Sequence, residues 1–122
     1  MSDAERLRPF IEGARQRERE RAEQLAQRAA RLREKLPDVV RVLRDQFGAR
    51  RVVLFGSWAR GRPREGSDVD LLVWGVPPQR WYAACGAVGR ALDVFACDLV
   101  PGEKAGPQLL AWAQREGESL LG

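Results

Sequence analysis

Two aspartates, Asp68 and Asp70, stand one residue apart at the head of the apolar run Val69 to Trp74. Aspartate is a poor strand residue and is costly to bury unpaired. Its repetition here needs a chemical reason. Residues i and i+2 of a strand share a face, so the two carboxylates stand side by side while Val69 and Leu71 turn the other way. Such a pair repels, and one member takes up a proton unless a cation neutralises it. A hard divalent ion such as Mg²⁺, held by one or two carboxylates plus substrate phosphates, supplies that cation. By itself the pair also suits a loop cap, so the residues around it decide.

Gly56-Ser57 ends an earlier apolar run, "ARRVVLF", ten residues before the aspartates. A glycine lets backbone approach a phosphate closely, and neighbouring N–H groups with a serine hydroxyl can cradle it. Arg60, Arg62 and Arg64 follow in the same loop. They can serve phosphate or simply be solvated. Arg60 is open between binding phosphate and bracing the loop, and Trp58 is expected to pack under the loop rather than stack on a base. The combination of strand, Gly-Ser, basic loop and paired aspartates on the next strand places a phosphate cradle opposite a metal-holding edge.

Composition narrows the chemistry. The chain has no histidine and only two cysteines, Cys85 and Cys97. Ser-His and Cys-His catalysis are therefore excluded, and so is a zinc site of ordinary ligand spacing. The two thiols fit a reducing compartment and core packing. Lys and Arg number 21 against 17 acidic residues, a net +4. This suits phosphate-bearing partners without requiring them. No apolar run approaches the ~20 residues of a membrane span, and no signal region opens the chain. A soluble, cytoplasmic protein is expected.

The elements that must position these groups follow from periodicity. Residues 3 to 36 read as one long charged helix, capped by Ser2 or Asp3. Ala22, Leu25, Ala29, Leu32 and Leu36 form a narrow apolar stripe. Continued backwards, that stripe meets Glu18 and Arg15. This segment, 1–36, is expected either to pack its second half on the domain or to act as an arm toward a second subunit or partner. An RNA-binding arm is disfavoured because Glu18, Glu20 and Glu23 interleave with the arginines. Pro37 punctuates, and "PDVVRVLRDQFG" reads as a second helix. Two strands follow, "ARRVVLF" and "DVDLLVW". Then come a helix over 78–92, a third strand "VFACDLV", and a terminal amphipathic helix "QLLAWAQREGESLL". The fold class is α+β (α/β-like), a small mixed sheet flanked by helices, with 37–122 as the chemical domain.

At "GSWARGRPREGSDVDLLV" the chain resembles the nucleotidyltransferase fold of the DNA polymerase β superfamily. Ala59-Arg60-Gly61 and Ser67-Asp68 narrow the resemblance to the minimal nucleotidyltransferases of prokaryotes. The resemblance implies two Mg²⁺ ions on Asp68 and Asp70. Gly56 and Ser57 would hold the phosphates of an NTP, most often ATP, with Arg60 and Ser67 beside them. It also implies a third carboxylate on a later strand. "CDLVP" followed by "REGESLL" matches the usual ending of that family, which points to Asp98, with Asp93 as the alternative. Members resembling this chain often pair with a small helical HEPN-type toxin and act as antitoxins by adenylylating a hydroxyl on it. Two other readings stay open. One is an idle nucleotide- or partner-binding module, and the other is transfer to a small molecule or RNA end. The long helix is a candidate homo-oligomer contact, and nucleic acid is the less favoured partner.

Overall fold

The computed structural model describes residues 2–61, 63 and 66–122. Arg62 and Arg64, two of the loop cations named above, lie outside them. Helix α1 runs over Asp3–Phe47, 45 residues. The Ser2 hydroxyl accepts from the Glu5 N–H, and Asp3 and Glu5 complement the positive helix start. Gly48 ends it in the left-handed conformation, φ 76°, its N–H reaching the carbonyls of Leu43 and Arg44.

The expected break at Pro37 does not occur, and α1 passes straight through it. A mid-helix proline removes one hydrogen bond and costs about 3 kcal/mol. Leu32 and Leu36 before it, and Val39, Leu43 and Phe47 after it, are all buried on one face. Burying five such side chains at roughly 1.5–3 kcal/mol each outweighs the proline.

Strands β1 (Arg51–Phe55), β2 (Val69–Trp74), β3 (Cys97–Pro101) and β4 (Glu118–Leu121) form one mixed sheet in the order β3-β2-β1-β4. β1 is antiparallel to both β2 and β4, and β2 is parallel to β3. A 3₁₀ turn at Pro78–Arg80 leads into helix α2, Trp81–Leu92, which crosses over between the parallel pair. Helix α3, Pro107–Glu116, precedes β4.

The fourth strand corrects the expected terminal helix, which stops at Glu116. Gly117 is extended, and a Cβ there would run into the Ala113 carbonyl. The Glu118–Leu121 tail then gains ladder bonds on β1, a tertiary gain that local helix propensity cannot show.

Alternation divides the sheet into two covered faces. Val52, Leu54, Val69, Leu71 and Val73 pack under α1 and α2, with Ala84, Val88 and Leu92 of α2 among them. Val53, Phe55 and Leu72 pack under α3 through Ala113. Cys85 and Cys97 are free and half-buried, and burial raises both thiols above their ordinary pKa.

Candidate functional site

Because Val69 and Leu71 are drawn into the α1/α2 core, Asp70 must point to the α3 face at the end of β2. The parallel register sets Asp70 beside Asp98 of β3, and the antiparallel register sets it beside Phe55 of β1. Asp68, two residues ahead of Asp70, adds a third carboxylate. Burial, then Asp98, then Asp68 raise the Asp70 carboxyl above the ordinary carboxylate pKa. The sheet thus gathers Asp68, Asp70 and Asp98 on one edge. Asp93 sits elsewhere. It is the C-terminal cap of α2, with φ 55°, and is not among the charges that act on Asp70.

Gly56 turns the chain away from β1 directly beneath this edge. Its φ is +78°, and a Cβ on it would overlap the Asp70 carboxylate oxygen. Both facts call for glycine. The turn closes with Arg60 N–H to the Gly56 carbonyl at 3.1 Å and Gly61 N–H to the Trp58 carbonyl at 3.3 Å. The Ser57 N–H and hydroxyl have no protein acceptor among the described residues. Phosphate oxygens are suitable acceptors for both groups.

Trp58 fastens the loop from below. It is 5% exposed, its indole N–H donates to the Ser67 carbonyl at 3.2 Å, and its ring meets Phe95 edge-on. This tie fixes Ser67 just ahead of the aspartates. Arg60 is engaged by α3, with its guanidinium 5.2 Å over the Trp112 ring and 3.7 Å from Glu116. In this arrangement it braces the loop. Glu116 and Phe95 had no place in the sequence reading. The only signal was the "REG" ending for one and an apolar residue before "CD" for the other.

The donor set suits a divalent cation. None of the three aspartates has an ion pair among the described residues, so their mutual repulsion is uncompensated. No three carboxylate or thiol groups among the described residues converge enough to hold one ion unaided. Mg²⁺ ordinarily takes one or two carboxylates and completes its shell with phosphates and water. The edge therefore fits an ion that arrives with a nucleotide.

A family model for the nucleotidyltransferase domain matches residues 36–109, more than half of the chain. The chain belongs to the nucleotidyltransferase domain family. A solved structure assigned provisionally to the minimal nucleotidyltransferases is 32% identical, with a TM-score of 0.64 over 74% of this chain and 93% of that one. A chain in the crystal structure of a toxin–antitoxin with AMP-PNP is 25% identical, with a TM-score of 0.62 over 71% and 73% of the two chains. The protein adenylyltransferase MntA of Thermococcus cleftensis is 55% identical over 31 residues, which are 25% of this chain. The match spans only about a third of that curated relative, 31% of its length. The fold is the mixed sheet with flanking helices and long N-terminal helix described above. No described helix is long and apolar enough to cross a membrane.

Proposed function

We propose that this protein is a Mg²⁺-dependent nucleotidyltransferase that moves AMP from ATP to a hydroxyl on a partner protein, a HEPN-type toxin, and so acts as its antitoxin in the cytoplasm. The observation that carries this reading is the register of Asp70 beside Asp98 with the Gly56 turn beneath Asp70. The relatives named for adenylyl transfer and for a toxin–antitoxin complex with AMP-PNP support the choice of nucleotide and acceptor. Residues 37–122 supply the chemical unit, and α1 joins it to the segment 1–36 without a break.

Asp68, Asp70 and Asp98 would hold the metal. When bound, Mg²⁺ supplies charge neutralisation at the phosphates and a lowered pKa for an acceptor hydroxyl. Gly56 lets the triphosphate approach the backbone, and Ser57 donates its N–H and hydroxyl to phosphate oxygens. Ser67, tied to the loop through Trp58, lines the same approach. Arg60 keeps the loop against α3 and is the nearest described cation in that loop. The acceptor oxygen forms a bond to the α-phosphorus, the bond to the pyrophosphate oxygen breaks, and the hydroxyl proton leaves with the water around the carboxylate edge. Positioning and charge carry the rate, so a site without histidine is sufficient.

The test is label transfer from α-labelled ATP to a HEPN-type toxin from the same genome, with Mg²⁺. Wild type is expected to label the toxin and release pyrophosphate, and Asp68→Ala and Asp70→Ala are expected not to. Binding of toxin with no label and no pyrophosphate would establish the idle partner-binding module instead.

A further inference from the structure

The charges of the exposed part of α1 are mixed in sequence but partly sorted in position. Because α1 is one uninterrupted helix, each residue advances about 100° around its axis. On that wheel Arg17, Arg21, Arg28, Arg31 and Lys35 fall within an arc of about 80°. Glu12, Glu20, Glu23 and Glu34 fall within a separate arc, on the side away from the domain. Glu20 is held there by Gln16, whose amide donates to it at 3.1 Å. Glu20 and Glu23 are therefore separated in space from that basic row, while Glu18 falls on the apolar side.

The basic row adjoins the helix's apolar row, which is buried from Leu32 onward. Toward the N-terminus Glu18 interrupts the apolar row, and beyond it Leu7 is 52%, Ile11 45% and, on its flank, Phe10 74% exposed. Where the basic row reaches the body it forms one wall of a groove of about 510 Å³, with Pro63 of the Gly-Ser loop opposite. Arg28 lies 5.4 Å over Phe95, which itself packs on Trp58. The Arg28 Nε is buried without a hydrogen-bond partner. Among the described residues Arg17, Arg21, Arg31 and Lys35 have no ion pair either.

We propose that this face of α1 is a docking strip for one amphipathic helix of a partner protein, with an acidic row set against Arg17, Arg21, Arg28 and Arg31 and an apolar row beside it. The proposal rests on the reading that the acceptor is a protein. The width of the strip favours a helix over a nucleic acid. A single basic row, about 27 Å long from Arg17 to Lys35, matches one helix, and its apolar neighbours add contact area. A nucleic-acid backbone would also meet the acidic arc at close range, and the groove offers no exposed aromatic platform for bases. A second copy fits poorly, because its own acidic row does not adjoin its apolar row. A helix seated here lies against the loop that follows Gly56-Ser57, so docking would bring the acceptor to the phosphate cradle.

The test uses the full chain without nucleotide. The probe is a synthetic amphipathic helix of about 20 residues, the length of the strip, with Glu in one row and Leu in the adjoining row. Its binding is followed by fluorescence anisotropy. The comparison is between Arg21→Glu/Arg31→Glu and Arg15→Glu/Arg19→Glu, which change net charge equally on different sides of α1. The first pair is expected to weaken binding by about tenfold or more, the second by less than about twofold, and added salt weakens the wild type. Four results overturn the proposal. They are no binding by wild type, equal loss in both double variants, tighter binding of a single-stranded RNA that only the first pair loses, and self-association in sedimentation that only the first pair loses. Since the titration contains no ATP, its failure leaves adenylyl transfer standing, and an inactive enzyme leaves the docking result standing.

Discussion

The carboxylate edge of the sheet and the outer half of α1 are both rich in unpaired charge, and they tolerate it for different reasons. At the edge, Asp70 is held near Asp68 and Asp98, all of like sign, by a strand whose other face is fully buried. Val69 and Leu71 are 0% exposed, so Asp70 cannot turn away. The repulsion is imposed by the core. Along outer α1 no core imposes anything. Arg17, Arg21 and Arg31 there are solvated, and their alignment costs little until something is set against them. Charge under constraint marks chemistry, whereas charge in free alignment marks a surface.

The sharpest way to break this contrast is at the edge. Asp70→Asn is expected to lower adenylyl transfer by about a thousandfold, several kcal/mol of transition-state stabilisation, while the fold survives. Asp98→Ala is expected to follow it. Asp93→Ala, on the α2 cap, should stay within about twofold. Rates measured at saturating ATP decide the point, and an active Asp98→Ala beside a dead Asp93→Ala would reverse the assignment of the third carboxylate.

The two halves of α1 give the next largest difference. Leu43→Ala should cost about 2–5 kcal/mol in denaturant unfolding, because Leu43 is fully buried against the sheet. Phe10→Ala should change stability by less than about 0.5 kcal/mol. Equal costs would mean that the tip of α1 is not the unsupported element it is here.

Gly56→Ala probes the contact between turn and edge. The positive φ and the overlap with Asp70 together predict a loss of about 1–3 kcal/mol in stability, with activity falling more than stability alone explains.

The pH dependence is smaller and has a definite sign. The folded Asp70 carboxyl has a raised pKa, so between the ordinary carboxylate pKa of about 3.9 and that raised value the folded chain binds more protons than the unfolded one. Stability therefore falls as pH rises through that window. Melting temperatures of the metal-free protein should decline there. Mg²⁺ or Asp70→Asn should flatten the decline, and an unchanged slope in Asp70→Asn would remove Asp70 as its source. The smallest effect expected is Arg60→Ala, at most about 1 kcal/mol, since its pair with Glu116 is half-exposed.

Much of the site could be read directly because its parts are local. Gly56-Ser57 and the two aspartates are separated by ten residues, and strand alternation predicts Asp68 and Asp70 on one face, although Asp68 lies just ahead of β2. The role of Glu116 could not be read, because it depends on α3 packing across β1, where Trp112 meets Phe55 edge-on at 5.9 Å. The terminal strand was misread as helix for the same kind of reason. "ESLL" has no strong preference of its own, and pairing with β1 decides it. The basic row on α1 emerges only when the charges are placed around the helix axis rather than counted along the sequence.

The sequence by itself determined the catalytic grammar of this protein: apolar runs that must be strands, a glycine where the chain must turn, and carboxylates at a spacing that forces them together. Those are consequences of backbone period and side-chain chemistry, which act within a few residues. Tertiary structure supplied the physical ground for three things. Asp98 rather than Asp93 stands beside Asp70, because parallel register depends on how α2 crosses the sheet. Pro37 lies inside a helix, because burial on both sides of it outweighs one missing hydrogen bond. One face of α1 runs past the edge of the domain uncovered, because the sheet beneath it is only four strands wide.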